Sequence, residues 1–333
     1  MSISKAAIAD RLSLERLVNV TDSTYAAGAD VISGLSKQPK TLPAKYFYDD
    51  HGSELFEQIC DLPEYYLTRT ETLILRNCAN EIAGITGACE IVELGSGSAV
   101  KTRILLDAYK EMNYPLHYLP IDISAGILES SAFALLNDYP TLKVRGLVGT
   151  YELALERLSM PLLPARMLCF LGSTLGNLND RECDLFFGRI AAALQKGEYF
   201  LLGVDLQKPK EILEAAYNDA QGVTAQFNLN MLRHLNHRFD GNFDLTKFAH
   251  QAFYNQSQQQ IEMHLQSLVA QTVNLRSLDR SAKFAQGETI MTEISRKFDS
   301  QKIAQTLESG GLVKVKMWTD PDRWFGLLLL QMH

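Results

Sequence analysis

The hydrophobic and polar positions of the 333-residue chain follow two periods, one typical of buried strands and one typical of helices. A regular pattern begins with a predicted amphipathic helix over residues 68–85. Short apolar runs then predict five strands, at 89–94, 117–122, 142–148, 166–172 and 199–205. Helices are predicted between them, beginning near Lys101, Ser124 and Asp180. Strands that alternate with helices favour a parallel sheet covered by helices on both faces.

The C-terminal region predicts a different ending for this sheet. Two strand-like segments, 312–318 and 324–331, are separated only by the turn TDPDR. A connection this short makes the two strands antiparallel. A doubly wound, Rossmann-like α/β sheet that ends in an antiparallel hairpin is the pattern of class I methyltransferases, and this is the predicted fold class.

Two other parts of the chain depart from the regular pattern. Residues 207–297 predict two helices and then long strand-like segments, as in an insertion with its own antiparallel pieces. Residues 1–68 predict a weak amphipathic helix, a loop with two prolines, and a loop-like aromatic stretch that either packs as a lid or lines a ligand. We therefore predict two domains, one formed by 69–206 with 298–333, the other a smaller α+β domain formed by 1–68 with 207–297.

Composition excludes several classes of protein. Apolar residues make up 46% and charged residues 21% of the chain, which is typical of a soluble globular protein and not of a disordered or fibrous one. The net charge of −7 argues against a nucleic-acid partner held by bulk phosphate attraction. The longest apolar stretch, 324–330, is far shorter than the ~20 residues that span a bilayer. We expect no nucleic-acid and no membrane partner.

Cysteines and histidines form no recognisable site in the sequence. The five cysteines are odd in number and none are spaced as CxxC, so reduced thiols and a cytoplasmic protein are expected, with no signal peptide in the charged N-terminal segment. His234 and His237 lie three apart on a predicted helix. No Cys or His pattern completes a metal site around them. We interpret them as a surface pair and expect no metal.

The loops after the first two predicted strands carry features of a nucleotide site. Gly95 and Gly97 allow a tight turn and close backbone approach to a ligand. Asp122 ends the second strand, where a carboxylate can accept both ribose hydroxyls. These features fit nicotinamide cofactors and S-adenosylmethionine (SAM) alike, but Val100 stands where the dinucleotide fingerprint needs a small residue. Lys101 either meets a cofactor carboxylate or is an exposed helix lysine.

Polar residues further along the chain are candidates for substrate binding. After the fourth strand, Asn179 or Asp180 can cap the next helix, which leaves Asn177 either to bind a substrate carboxylate or to stabilise its loop. Glu293 and Ser295 alternate with apolar residues, as at the end of a strand. They are either an exposed edge or a polar pair that faces a ligand.

Seven segments together resemble one known family. They are LPAKYFYDDHGSELFEQI, LPEYYLTRTE, VELGSGSAVKTRILLDA, YLPIDIS, FLGSTLGNL, IEMHL and GETIMTEISRKF. From about residue 35 onward the chain resembles the L-histidine Nα-methyltransferases of ergothioneine biosynthesis. The resemblance implies SAM as cofactor and three successive methyl transfers to the α-amine of L-histidine, which give hercynine. It also implies that the sheet domain binds SAM and the smaller domain binds the substrate, and we expect a monomer.

The resemblance also implies roles for individual residues. The cofactor residues are Gly95, Gly97, Lys101, Asp122, Thr150 and Tyr151. Tyr48 and Gly172 lie near the reacting α-amine, and Asn177 and Tyr217 clamp the substrate carboxylate. The side-chain pocket comprises Tyr65, Met263, Glu293 and Ser295, of which the last two contact the imidazole nitrogens. Thr150 replaces an acidic residue of the family, which puts the usual contact to the adenine amino group in doubt.

Three other functions remain open from the sequence. The same fold acting on another amino acid or small amine is favoured if Glu293 and Ser295 do not face the ligand. A non-catalytic module would bind SAM without forming a product. The intact residues Gly95, Gly97 and Asp122 argue against such a module. A nicotinamide oxidoreductase is disfavoured by Val100.

Overall fold

The predicted alternation of strands and helices is present in the computed structural model, which describes residues 10–17 and 28–333. The strands are β1 (Leu12–Arg16), β2 (Lys40–Thr41), β3 (Cys89–Leu94), β4 (His117–Asp122), β5 (Lys143–Val148), β6 (Ala165–Phe170), β7 (Tyr199–Asp205), β8 (Phe248–Asn255), β9 (Gln260–Ser267), β10 (Gln271–Leu275), β11 (Arg280–Phe284), β12 (Thr289–Arg296), β13 (Leu312–Thr319) and β14 (Phe325–Met332). The α-helices are α1 (Ala29–Leu35), α2 (Asp50–Asp61), α3 (Tyr66–Thr86), α4 (Val100–Glu111), α5 (Ala125–Asp138), α6 (Tyr151–Glu156), α7 (Asp180–Ala193), α8 (Lys210–Ala215), α9 (Val223–Phe239) and α10 (Ser300–Ser309).

The chain divides into two compact units. Among the described residues, unit 1 comprises 10–17, Arg69–Leu206 and Phe298–His333, and unit 2 comprises 28–68 and Gln207–Lys297. Each unit has its own sheet, and each is discussed separately below.

Unit 1 contains an eight-stranded sheet in the order β1-β5-β4-β3-β6-β7-β14-β13. Strands β3 to β7 pair in parallel, whereas β14 is antiparallel to both β7 and β13. The predicted class I methyltransferase topology is therefore confirmed. The strand order reverses at β3, so the loops that follow β3 and β4 lie where such sheets bind ligands.

Alternating side chains of each central strand pack into two different cores. Ile91 on β3 and Met167 on β6 belong to one apolar cluster, while their neighbours Val92 and Leu168 belong to another. Successive strand residues point to opposite faces of a sheet, and helices cover both faces here. This is why β3 is buried at every position and its apolar residues are not restricted to alternate positions.

The N-terminal segment corrects the sequence-based domain boundaries. Residues 12–16 form a strand parallel to β5 instead of the expected weak helix, and they belong to unit 1 instead of the smaller domain. The guanidinium of Arg11 fixes this strand by donating to the carbonyls of Leu136, Tyr139 and Leu142. The open edge of β5 supplies hydrogen bonds that a short isolated helix cannot match. The remainder of the predicted helix lies outside the described residues.

Unit 2 is built on a four-stranded sheet in the order β2-β12-β9-β8. β9 is antiparallel to both of its neighbours, as the strand-like pattern after residue 258 predicts, and β10 and β11 form a separate hairpin. The predicted long helix of this region is α9, of which Phe227, Met231 and Leu235 are buried. These residues repeat every four positions and so lie on one face of the helix.

The aromatic stretch that the sequence assigned to a loop is largely helical. A 3₁₀ turn over Ala44–Phe47 leads into α2, which begins where the Asp49 carboxylate accepts the N–H of Gly52 at 2.7 Å. Leu55 and Ile59, four residues apart, are buried on one face of α2. The many tyrosines around α2 obscure the helical spacing of its apolar residues in the sequence. A helix cap and two buried apolar positions are enough to form this helix when the flanking rings are packed.

Candidate functional site

The loop between β3 and α4 leaves room for a ligand beside its backbone. Gly95 and Gly97 have φ values of 72° and 47°, and a Cβ built at either residue meets no atom within 4 Å. The Asp122 carboxylate accepts the N–H of Gly97 through Oδ2 and that of Ser124 through Oδ1, each at 2.9 Å. Each oxygen keeps a further acceptor position for a hydroxyl group. These residues fit the ribose of a nucleoside cofactor.

Thr150 and Tyr151 follow β5 at the same end of the parallel sheet. Thr150 is the N-cap of α6, where its Oγ1 accepts the N–H of Leu153 at 3.5 Å. The ring of Tyr151 lies 6.1 Å from that of Phe170 and 5.6 Å from that of Phe186. Burial raises the pKa of Tyr151 to about 12, so it presents a neutral ring. The residue that departs from the family pattern therefore has a helix-capping function of its own.

Lys101 is held by a partner that the sequence did not reveal. Its Nζ lies 2.5 Å from Oε2 of Glu71, a residue of α3 that is fully buried. The same carboxylate accepts the N–H of Gly172, at 2.8 Å to Oε1 and 2.9 Å to Oε2. Glu71 thus ties the start of α4 to the loop after β6. One feature of the sequence points to such a contact. Glu71 lies among the apolar positions of α3, where burial of an unpaired charge is costly.

The two asparagines in the loop after β6, Asn177 and Asn179, have different roles. Asn179 caps α7 through a capping box, since its Oδ1 accepts the N–H of Glu182 while the Glu182 carboxylate accepts the N–H of Asn179. Asn177 ends a 3₁₀ turn, and its amide has no hydrogen-bond partner among the described residues. The predicted spare amide is therefore present at the carboxyl end of β6.

Tyr48 and Tyr65 of unit 2 belong to a cluster of aromatic rings. Tyr48, which is 46% exposed, lies 5.8 Å from the ring of Phe56 and 5.7 Å from that of Phe227. The ring of Tyr65 is 6.3 Å from that of Tyr217. Burial, followed by the nearby Tyr217 and other groups including Glu293, raises the pKa of Tyr65 well above its ordinary value. The cluster thus offers neutral hydroxyls on apolar rings.

Three of the four residues predicted to form the side-chain pocket lie on two neighbouring strands, while the fourth, Tyr65, belongs to the aromatic cluster. Glu293 on β12 lies directly opposite Met263 on β9, and Ser295 lies opposite Ile261. Directly opposed residues of antiparallel strands share a face, so these four side chains point to one side of the sheet. Met263 and Ser295 are buried, whereas Glu293 is partly exposed. The structure brings together Met263, Glu293 and Ser295, and their role as a side-chain pocket stays a prediction.

A hydrogen-bonded network surrounds Ser295. The hydroxyl of Tyr217 donates to Ser295 Oγ at 2.8 Å, and the buried ammonium of Lys297 donates to Ser295 Oγ at 2.8 Å and to the Tyr217 hydroxyl at 3.2 Å. Lys297 was not singled out by the sequence, where it is one of two adjacent basic residues. Asn177 and Tyr217 belong to different units, so their joint contact with a carboxylate stays a prediction.

His234 is not the surface residue that its helical spacing suggested. It is buried, and its Nδ1 lies 2.9 Å from the carbonyl oxygen of Tyr46. This contact within unit 2 gives the polar ring, which lies on the buried face of α9, a hydrogen-bond partner. Among residues 10–17 and 28–333, no group of His, Cys, Asp and Glu side chains is arranged to hold a metal ion. Nor does any helix in these ranges have the length and apolar character needed to cross a membrane.

Comparison with known proteins decides the chemistry. A family model described as "Histidine-specific methyltransferase, SAM-dependent" matches residues 27–332. The protein belongs to this family. The resemblance found in the sequence motifs is thereby confirmed, and so is SAM as the cofactor of this histidine-specific methyltransferase. The open space beside Gly95 and Gly97 and the acceptor oxygens of Asp122 fit the adenosyl part of that cofactor.

Individual relatives of this methyltransferase are similar over most of its length. Histidine N-alpha-methyltransferase of Mycolicibacterium smegmatis is 42% identical over 318 residues, which cover 96% of this chain and 98% of that protein. The protein of the same name from Mycobacterium tuberculosis is 41% identical over 90% of this chain and 93% of its own. Ergothioneine biosynthesis protein 1 of Neurospora crassa is 32% identical over 88% of this chain and 33% of its own.

The departure at Thr150 gives a testable prediction. Thr150→Asp keeps a good N-cap for α6 and adds a carboxylate that can accept a hydrogen bond from the adenine amino group. We expect SAM affinity, measured by calorimetry, to rise by ~1 kcal/mol at most, because desolvation of the new charge offsets part of the gain.

Thr150→Asn is the matched control, since asparagine also caps but brings no charge. An equal gain in both variants would assign the effect to the helix cap. A large loss of affinity in Thr150→Asp would contradict an adenine contact at this position.

Proposed function

We propose that this protein transfers three methyl groups from SAM to the α-amine of L-histidine and releases hercynine, the first step of ergothioneine biosynthesis. The observation that carries the proposal is the polar pair Glu293 and Ser295 on one face of β12, with Met263 directly opposite on β9. A carboxylate and a hydroxyl two residues apart match the two nitrogens of an imidazole ring. Family membership and the two mycobacterial relatives support the same reaction.

Unit 1 supplies the cofactor contacts in this proposal. Gly95 and Gly97 admit the adenosyl part close to the backbone, Asp122 accepts hydrogen bonds from the ribose hydroxyls, and Thr150 and Tyr151 lie toward the adenine. When bound, SAM supplies a methyl carbon attached to a sulfonium. The Glu71 carboxylate pairs with Lys101 and accepts the N–H of Gly172, and the Lys101 ammonium has further donor hydrogens for the cofactor carboxylate.

The substrate amine must lose its proton before it can attack the methyl carbon. The α-amine of a peptide has a pKa of ~8, and the charged carboxylate of free histidine raises the pKa of its amine above this value, so only a small neutral fraction is present at neutral pH. Tyr48 is proposed to orient this amine, since a neutral phenol can donate and accept hydrogen bonds. Its ring also tolerates the quaternary ammonium of the product, because the face of an aromatic ring attracts a cation. The main contribution of the enzyme is alignment, which is worth up to ~7–11 kcal/mol.

A mass-spectrometric assay tests the proposal. The protein is incubated with SAM and each of the twenty amino acids separately. We expect a single product from histidine that is heavier by about 42 Da, as three added CH₂ groups require. A product from another amino acid alone would support the alternative substrate, and SAM binding without any product would contradict the proposed reaction.

The carboxylate clamp gives a separate prediction. Asn177→Ala is expected to raise the KM for histidine about 10-fold or more, because a hydrogen bond to a charged group is worth ~1.5–3 kcal/mol. SAM affinity should change little, and histamine, which lacks the carboxylate, should be a poor substrate of the unmodified enzyme. Steady-state kinetics with both amines provide the measurement.

Asn179→Ala is the control for this experiment. It removes the capping box of α7 and should lower the free energy of unfolding by ~1 kcal/mol without a selective effect on the KM for histidine. Efficient methylation of histamine would contradict a clamp formed by Asn177 and Tyr217.

We also propose that the reaction takes place in the cytoplasm. All five cysteines are thiols that form no disulfide, which is the usual state of cysteine in a reducing compartment. Alkylation of the native and denatured protein in cell extracts, followed by mass spectrometry, should find all five thiols unoxidised.

A further inference from the structure

Lys297 is a buried lysine of unit 2, the unit that is proposed to bind the substrate. It follows β12 directly and is 3% exposed. Lysine is rarely buried to this degree unless its charge is engaged by polar groups. Two of these groups are Ser295 Oγ and the Tyr217 hydroxyl, at 2.8 Å and 3.2 Å from Nζ. The ammonium also lies 5.0 Å from the centroid of the Tyr217 ring.

The hydrogen-bond capacity of Ser295 determines what it can offer a ligand. A hydroxyl has two acceptor positions and one donor hydrogen. Lys297 is a donor only, and Tyr217 also donates to Ser295, so both acceptor positions of Oγ are occupied. Ser295 is left with its hydrogen to donate. A ligand atom that binds Ser295 must therefore be an acceptor.

We propose that Lys297 is a positioning residue that fixes Ser295 as a donor and thereby makes the enzyme select the neutral imidazole ring of its substrate. This inference rests on the proposed function. The neutral ring has one N–H, which donates to the Glu293 carboxylate, and one bare nitrogen, which accepts from Ser295. The protonated ring carries an N–H on both nitrogens. It would place a donor against the Ser295 hydrogen and a positive charge near the Lys297 ammonium.

Other titratable groups lie close to the network formed by Ser295, Tyr217 and Lys297. On β8, Tyr254 lies opposite Ile261, and burial raises its pKa while Lys297 lowers it. Also on β8, His250 donates from Nε2 to the carbonyl of Tyr217, and burial lowers its pKa.

Tyr65, whose ring lies 6.3 Å from that of Tyr217, has Cys60, Glu293 and Tyr48 as further titratable neighbours. Any of these groups can give the enzyme a pH dependence of its own. Such an effect is the same for every substrate and cancels in a ratio of two substrates.

The test compares histidine with 2-fluorohistidine, whose electron-withdrawing fluorine keeps the ring neutral throughout the pH range. The ratio of their kcat/KM values is measured between about pH 5 and pH 8.5 at saturating SAM. For the unmodified enzyme we expect the ratio to fall about 10-fold per pH unit below the ordinary ring pKa of ~6.5, since only the neutral ring is selected. Above that pH the ratio should be constant.

Three variants assign this selection to Lys297. Lys297→Met removes the donor, so Ser295 can turn to accept, and the ratio should lose most of its pH dependence while the KM for histidine rises more than kcat falls. Lys297→Arg keeps a donor and should restore the dependence. Lys40→Met, which removes another buried lysine of the same unit, paired with Glu288, should keep the dependence of the unmodified enzyme.

The outcomes separate this inference from the proposed function. If no trimethylated histidine forms at any pH, the proposed function fails. If the product forms but the ratio is flat in the unmodified enzyme, selection of the neutral ring is wrong. A ratio that depends on pH equally in Lys297→Met would show that Lys297 does not set it. Should Lys297→Met fail to fold, as judged by circular dichroism, the ratio for the unmodified enzyme still decides whether the ring is selected.

Discussion

Replacement of Asp122 by alanine is expected to weaken SAM binding at least about 100-fold. In the structure the Asp122 carboxylate accepts two backbone N–H groups and retains an acceptor position on each oxygen for the ribose hydroxyls. A hydrogen bond to a charged group is worth about 1.5–3 kcal/mol, and two of them are lost. Isothermal titration calorimetry with SAM measures the change.

The variant also removes the contacts of Asp122 with Gly97 and Ser124, so loop stability has to be measured separately. Thermal unfolding without cofactor should show that the sheet persists, with only a modest fall in Tm. Asp138→Ala removes an exposed carboxylate from the same unit and should leave SAM affinity unchanged. Unchanged affinity in Asp122→Ala would mean that this carboxylate does not bind the ribose.

Glu293→Ala is expected to lower kcat/KM for histidine by at least about 10-fold, or ~1.4 kcal/mol. Without the carboxylate, the N–H of the imidazole ring loses its acceptor. The preference for histidine over tryptophan and phenylalanine should shrink as well, because an unpaired polar group is what makes a polar pocket reject the wrong ring. Met263, directly opposite, should still limit ring size.

A competition assay with equal histidine and tryptophan measures both effects. Glu262→Ala is the matched control, because Glu262 lies on the neighbouring strand opposite Ile294 and its carboxylate is engaged by Asn255 and Gln260. It should leave the product ratio as it is in the unmodified enzyme. An unchanged ratio in Glu293→Ala would show that Glu293 does not contact the ring and would reopen the choice of substrate.

The regular part of the fold could be predicted because its signal is local. Strands β3, β6 and β7 are buried on both faces and therefore appear as short segments rich in apolar residues between helical periods. The turn between β13 and β14 is too short for anything except an antiparallel pair. β1 could not be predicted, since five residues with two leucines become a strand only because β5 offers a free edge.

The features of the site also fall into two groups, those that the sequence predicts and those that depend on long-range contacts. The sequence alone determined the position of Asp122 at the end of a strand, the spare amide of Asn177, and the shared face of Glu293 and Ser295, because strand ends and a period of two are local properties. Only the tertiary structure decided the partners of the charged groups. Lys101 pairs with Glu71, thirty positions away, and Lys297 reaches Tyr217 from eighty positions away. A buried charge must be matched wherever the chain supplies a partner, and sequence distance does not limit that choice.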